Sequence, residues 1–115
     1  MNREFIRTNI FEEDWKDAGL NDDDLRELES MLLENPAAGA LIQGAGGARK
    51  VRIAFPGQGK SSGGRVIYVD FAINEHIYLL MVYAKSKQVT LSDAQKKAAR
   101  ELIGEIRKEE QRHGK

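Results

Sequence analysis

The fold is decided by three short apolar runs in the middle of the chain: RKVRIAF at 49–55, RVIYVDF at 65–71 and IYLLMVY at 77–83. All three are rich in β-branched and aromatic residues and short enough to be strands. In the first run, Val51, Ile53 and Phe55 alternate with Lys50 and Arg52, which is the period of a strand with one apolar and one polar face. The other two runs are nearly apolar on both faces and are separated by a turn at 72–75, so they predict a hairpin in the centre of a sheet.

Helical signals lie on both sides of these strands. Asn21 is a suitable helix cap, acidic residues follow it, and leucines then recur at helical spacing until Pro36. Near the C-terminus, Ser92 and Gln95 form a capping box before a second amphipathic helix. A short strand and helix are predicted before Asn21, within residues 3–15. The sequence therefore predicts an α+β fold, in which a small antiparallel β-sheet is flanked by N-terminal helices and a C-terminal helix, with residues 1–115 forming a single domain.

Charge is distributed unevenly along the chain. The 18 Lys and Arg residues balance the 18 Asp and Glu residues in number, but residues 1–36 hold 4 basic and 11 acidic side chains, whereas residues 37–88 hold 7 basic and 2 acidic ones. Most of the early acidic residues fit helix N-termini and solvated helical faces. A basic segment that lacks acidic partners attracts phosphates, so the distribution favours a nucleic-acid partner that the net charge would not suggest.

Several kinds of active site are excluded or disfavoured. The chain has no cysteine, which excludes disulfides, cysteine-ligated metals and cysteine nucleophiles. The glycine-rich segment at 57–64 resembles the end of a phosphate-binding loop, G-x-x-x-x-G-K-[ST]. The first glycine of that pattern would fall at position 54, which is Ala54, and the segment connects two strands rather than a strand and a helix. His76 and His113 cannot be assigned to one site, and Asp70 is interpreted as a paired structural charge. No metal and no cofactor are expected. With no export signal and no apolar run long enough to span a membrane, we expect a cytoplasmic location and no membrane partner.

The candidate site residues are therefore the cations of the middle segment. On an antiparallel sheet, basic residues of the first strand can lie beside an arginine that opens the second, and those that follow the third strand can reach the same edge. These residues are Arg49, Lys50, Arg52, Lys60, Arg65, Lys85 and Lys87, with Tyr83 at the end of the third strand. A solvated sheet face with scattered cations is the alternative interpretation.

The same residues carry a family resemblance. The segments at 35–36, 42–44, 46–52 and 59–68, followed by those at 78–80, 83–85 and 91–92, closely resemble RelE/ParE superfamily toxins of bacterial type II toxin–antitoxin systems, in particular the HigB-like branch. The resemblance is good over residues 35–105 and looser before them. It implies a small antiparallel sheet flanked by helices and a ribosome-dependent endoribonuclease that cuts messenger RNA. It also implies a cognate, HigA-like antitoxin that holds the toxin inactive.

By position, the resemblance assigns catalytic roles to Lys50, Arg52, Arg65 and Lys85. Arg65 has the firmest register, because Gly63, Gly64 and residues 66–68 surround it. RNA cleavage through the 2′-hydroxyl needs a proton acceptor, positive charge for the phosphate and a proton for the departing 5′-oxygen. Arg65 is assigned to binding of the reacting phosphate, and Arg52 and Lys50 to positive charge beside the RNA backbone. Lys85 is assigned to proton transfer or to support of the leaving group.

The remaining members of the basic set are assigned to RNA binding. These are Arg49, Lys60, Tyr83 and Lys87. The aromatic general base of RelE has no obvious match after Leu91, so the general base stays open. Two alternative functions also stay open: a ParE-like toxin that inhibits DNA gyrase, and a non-catalytic nucleic-acid-binding paralogue.

Overall fold

A computed structural model describes residues 2–57 and 63–113, except for the side chain of His113. Five strands and three α-helices occur in these ranges. They are β1 (Glu4–Arg7), α1 (Asn9–Asp17), α2 (Asp22–Glu34), β2 (Ala40–Leu41), β3 (Arg49–Ile53), β4 (Gly64–Phe71), β5 (His76–Ala84) and α3 (Asp93–His113), with one turn of 3-10 helix (Ala72–Asn74) between β4 and β5. The α+β class and the flanking helices predicted from the sequence are confirmed. No helix in the described ranges combines the length and the apolar character needed to cross a membrane.

The five strands form one sheet in the order β1-β5-β4-β3-β2. The central pairs β3–β4 and β4–β5 are antiparallel, as predicted, whereas β1 pairs in parallel with β5 and makes the sheet mixed. The antiparallel sheet predicted from the sequence corresponds to the central strands, and β1 adds a parallel edge to it. The parallel pairing arises because the chain runs from β1 through both N-terminal helices and the β3–β4 pair before it returns as β5 beside β1.

The α1 and α2 helices cover one face of the sheet. Thr8 caps α1, and Asn21 caps α2 through the reciprocal bonds of a capping box with Asp24. The Phe11 and Trp15 rings stack with centroids 5.3 Å apart, and both rings belong to a core that includes α2 leucines and alternate residues of the central strands. The interval of three and four residues between these apolar positions directs them to the sheet.

The α3 helix covers the opposite face. Ile103 is its most deeply buried residue and belongs to a second core with residues of β4 and β5. Arg100 and Arg107 donate hydrogen bonds to the carbonyl oxygens of Gly44 and Gly46, in the loop that leads into β3. The helix therefore holds both the sheet and the loop that precedes the first basic strand.

A bulge in β5 sets which residues share a face near the end of the central hairpin. Tyr68 lies opposite Leu79 but Ile67 lies opposite Met81, so Leu80 is an extra residue in β5. Leu79 contacts the core under α1 and α2, whereas Leu80 contacts the core under α3. The shift restores alternation beyond the bulge and fixes the register of the last residues of β5 against the start of β4.

Candidate nucleic-acid interface

Three of the sequence-predicted site residues occupy facing positions on adjacent strands. Arg52 of β3 lies opposite Arg65 of β4, and Arg65 lies opposite Tyr83 of β5. Lys50 is two positions from Arg52 and lies opposite Ile67. Facing residues share one side of a sheet. Because Ile67 and Tyr83 belong to the core under α3, these four positions lie on the α3 side. We call Lys50, Arg52 and Arg65 the basic row.

Arg65 is the most enclosed member of the basic row. It is only 7% exposed, and its Nη1 donates a hydrogen bond of 3.0 Å to the carbonyl oxygen of Gly64. Arg52 is exposed and Lys50 is half-buried, so the cations differ in their access to solvent. Like charges at facing positions repel each other, and a bound anion relieves that repulsion. A guanidinium fork held in this way favours a phosphate, which accepts two parallel hydrogen bonds.

Tyr83 is part of the interior rather than an exposed stacking surface. The residue is 7% exposed, and its hydroxyl donates to the carbonyl oxygen of Val89 at 3.2 Å. Burial raises the pKa of the Tyr83 phenol, while the nearby positive charge of Arg65 lowers it by less. The phenol is therefore protonated at neutral pH and connects the end of β5 to the segment before α3.

The two lysines after β5 differ in their surroundings. The backbone N–H of Lys85 donates to the carbonyl oxygen of Gly63 at 3.0 Å, which holds Lys85 beside the start of β4 and two residues from Arg65. Lys87 is exposed and lines a cavity next to α1. Of this pair, Lys85 is thus the lysine whose backbone is tied to the strand that carries Arg65.

Arg49, a further predicted RNA-binding residue, does not join the basic row. Arg49 lies opposite Tyr68, which belongs to the core on the α1 and α2 side. Its guanidinium donates to the carbonyl oxygen of Gly39 at 2.7 Å, so Arg49 braces the segment that enters β2. Lys60 lies outside the described residues. The interpretation of Arg49 as part of the same surface is therefore not supported by its position.

Sequence reasoning missed a polar cluster at the other end of β5. Glu110 of α3 is 6% exposed and accepts hydrogen bonds from the Asn74 amide (3.0 Å), the His76 imidazole (2.8 Å) and the Tyr78 hydroxyl (2.8 Å). Burial alone would raise the pKa of Glu110, but these three donors outweigh burial and lower it. Burial, followed by the hydrogen bond to Glu110, raises the pKa of Tyr78 above its ordinary range. The cluster anchors the C-terminal end of α3 to β5.

Other charged groups have structural partners. Asp70 accepts two hydrogen bonds from the Arg3 guanidinium, at 2.7 and 3.1 Å, which fits the expectation that Asp70 is a paired structural charge. Within residues 2–57 and 63–113, no three His, Asp or Glu side chains are grouped so that they could hold a metal ion.

Comparison with known proteins gives one family and one fold. Residues 3–113 match the family model described as the RelE toxin of the RelE/RelB toxin–antitoxin system. A double mutant of the E. coli toxin RelE in the free state is similar with a TM-score of 0.54 at 17% identity, over 77% of this chain and 90% of that chain. The isolated E. coli RelE toxin is similar with a TM-score of 0.53 at 16% identity, over 87% of this chain and 98% of that chain.

Proposed function

The chain belongs to the RelE toxin family, and on that premise we propose that it is a ribosome-dependent endoribonuclease that cleaves messenger RNA and inhibits translation. The single observation that carries the proposal is the alignment of Arg52 with Arg65 on adjacent strands, with Lys50 on the same side of the sheet. This arrangement concentrates positive charge where a phosphate can be bound by two guanidinium groups. Such a function is carried out in the cytoplasm, on translating ribosomes.

The proposed reaction uses the RNA's own 2′-hydroxyl as the nucleophile. The hydroxyl loses its proton to an acceptor, its oxygen bonds to the adjacent phosphorus, and the bond from phosphorus to the 5′-oxygen breaks. The products are a 2′,3′-cyclic phosphate and a 5′-hydroxyl end. Arg65 and Arg52 stabilise the negative charge that builds up on the phosphate oxygens, and Lys50 adds positive charge beside the RNA backbone. Lys85 supplies the proton that the departing oxygen takes up.

The ribosome contributes positioning in this proposal. The ribosome holds the bound messenger RNA in one place, so the reacting phosphate is already oriented toward the toxin's side chains. This orientation lowers the barrier and can compensate for the absence of a strong general base. The partners are therefore the ribosome and messenger RNA, together with a cognate antitoxin. The HigB-like sequence pattern around Arg65 and in the segment after β5 supports an antitoxin of the HigA type.

Expression of the protein with an intact or an altered basic row tests this function. The wild-type protein should cut transcripts within codons that ribosomes occupy, and Arg65→Ala should abolish that cleavage. Arg26→Ala is the matched control, because Arg26 is an exposed arginine on α2 and pairs with Asp23 of the same helix. Intact transcripts together with DNA damage would contradict the proposal and indicate gyrase inhibition instead. RNA binding without cleavage would indicate a non-catalytic paralogue.

A further inference from the structure

A cavity of about 490 Å³ lies between α1 and the end of β5. Its lining includes Asp14 and Asp17 of α1, Phe55 after β3, and Lys87 in the turn after β5. The volume lies within the range of sites that hold small ligands. The cavity combines an aromatic ring, carboxylates and an ammonium group, and none of the roles assigned above uses the carboxylates.

The cavity adjoins the strand ends that carry the basic row. A side chain at Gly64 would overlap the ring of Phe55, so this ring lies directly against the backbone of the residue before Arg65. Gly64 also lies opposite Ala84, which lines the cavity. An RNA strand that crosses the end of the β4–β5 pair can therefore place one phosphate on the basic row and an adjoining base in the cavity.

Asp14 is the group in the cavity best suited to recognising a base. Its Oδ2 accepts a hydrogen bond of 3.2 Å from the backbone N–H of Val82, which fixes the carboxylate at the edge of β5. Partial burial raises the pKa of Asp14; the Val82 hydrogen bond opposes that rise, and the negative charges of Asp17 and Glu13 add to it. An ionised carboxylate has about four acceptor positions. A carboxylate that has lost part of its hydration gains from further N–H donors.

We propose that this cavity binds a guanine of the substrate RNA, with the carboxylate of Asp14 accepting hydrogen bonds from the N1–H and the 2-amino group. Guanine is the RNA base that presents two adjacent donors on its Watson–Crick edge. Adenine and cytosine place a ring acceptor beside the amino donor, and uracil flanks its N–H with two carbonyl oxygens, so each would direct an acceptor at the carboxylate. Phe55 offers a flat apolar surface to the ring, and Lys87 offsets the phosphate charge at the rim.

This inference rests on the proposed endoribonuclease function and adds base specificity to it. Asp14→Asn is the informative variant, because the asparagine oxygen can still accept the Val82 hydrogen bond while the amide nitrogen presents a donor to the base. Glu13→Gln is the matched control: it removes an exposed carboxylate from the same helix, outside the cavity lining. Both variants change the net charge equally, so a difference between them reports on the position of Asp14.

The first test replaces a guanine beside a mapped cleavage site by inosine, which lacks the 2-amino group, and measures single-turnover cleavage on programmed ribosomes. For wild type and Glu13→Gln, inosine should slow cleavage about tenfold, the lower part of the range for loss of a bidentate base contact. For Asp14→Asn, the guanine transcript itself should be cleaved slowly, and inosine should matter less than about twofold because the contact is already lost. An equal inosine effect in all three proteins would overturn the inference.

The second test does not depend on cleavage. Titration of the Arg65→Ala protein with guanosine 5′-monophosphate should shift the amide NMR signal of Val82, and inosine 5′-monophosphate should require about tenfold more nucleotide for the same shift. A Val82 signal unmoved by either nucleotide would overturn the guanine site even if the wild-type protein cuts RNA. If the wild-type protein cut no RNA but Arg65→Ala still gave guanine-selective shifts, the guanine site would be supported and the proposed endoribonuclease activity would be contradicted.

Discussion

Replacing Glu110 by alanine is expected to loosen the attachment of α3 and to lower the stability of the protein substantially. The substitution removes an acceptor shared by Asn74, His76 and Tyr78, so three half-buried donors lose their hydrogen bonds to that carboxylate. A buried donor left without its acceptor costs about 1 to 3 kcal/mol of unfolding free energy. Because the three donors are only half-buried, we expect about 1 kcal/mol for each of them, or about 3 kcal/mol in total.

Thermal or urea unfolding at neutral pH measures this loss. For a domain of this size, about 4 °C of melting temperature corresponds to 1 kcal/mol, so Glu110→Ala should melt about 12 °C below the wild type. Glu105→Ala is the matched control on the same helix, because Glu105 is exposed and pairs with the exposed Lys108. Its melting temperature should stay within about 2 °C of the wild type. If both variants melted at the same temperature, the polar cluster would not anchor α3 and the reasoning would be refuted.

Three further outcomes are expected. The stability difference between wild type and Glu110→Ala should shrink as the pH falls below the ordinary carboxyl pKa and through the lowered pKa of folded Glu110. The reason is that protonation removes the charge that the donors stabilise, and urea unfolding between pH 3 and 7 measures the difference. Arg49→Ala should lower the melting temperature but leave RNA affinity unchanged, whereas Lys50→Ala should weaken RNA binding at low salt with little effect on the melting temperature. Equal effects of the two substitutions on RNA affinity would contradict the placement of Arg49 and Lys50 on opposite faces of the sheet. Gly64→Ala should unfold at clearly lower urea concentration, since the new methyl group would overlap the Phe55 ring, and a wild-type urea midpoint would contradict that contact.

The alternating and apolar runs explain why the centre of the fold could be predicted. Val51 and Ile53 identify one face of β3, and the caps at Asn21 and Ser92 mark helix starts that the structure has within one residue. The pairing of β1 was harder to predict, because a run of four residues carries no information on whether its partner strand is parallel or antiparallel. The two-residue strand β2 has no periodic signal at all.

The candidate site was partly predictable for a related reason. Strand alternation places Lys50 and Arg52 on one face, but the face of Arg65 depends on its register with β3 and could not be read from its own strand. The position of Arg49 away from the basic row could not be predicted, because its partner, the carbonyl oxygen of Gly39, is set by the position of the segment that enters β2. Glu110 and Asp14 were missed because their partners are more than thirty residues away in the sequence.

Mapping the 5′ ends of transcripts on translating ribosomes tests the central claim most directly. The measurement compares cells that express the wild-type protein with cells that express Arg65→Ala, at equal levels of folded protein. The basic row predicts new 5′-hydroxyl ends inside ribosome-occupied codons with the wild-type protein and none with Arg65→Ala. Identical 5′ ends in both cultures, or transcripts left intact by a wild-type protein that still stops growth, would contradict it.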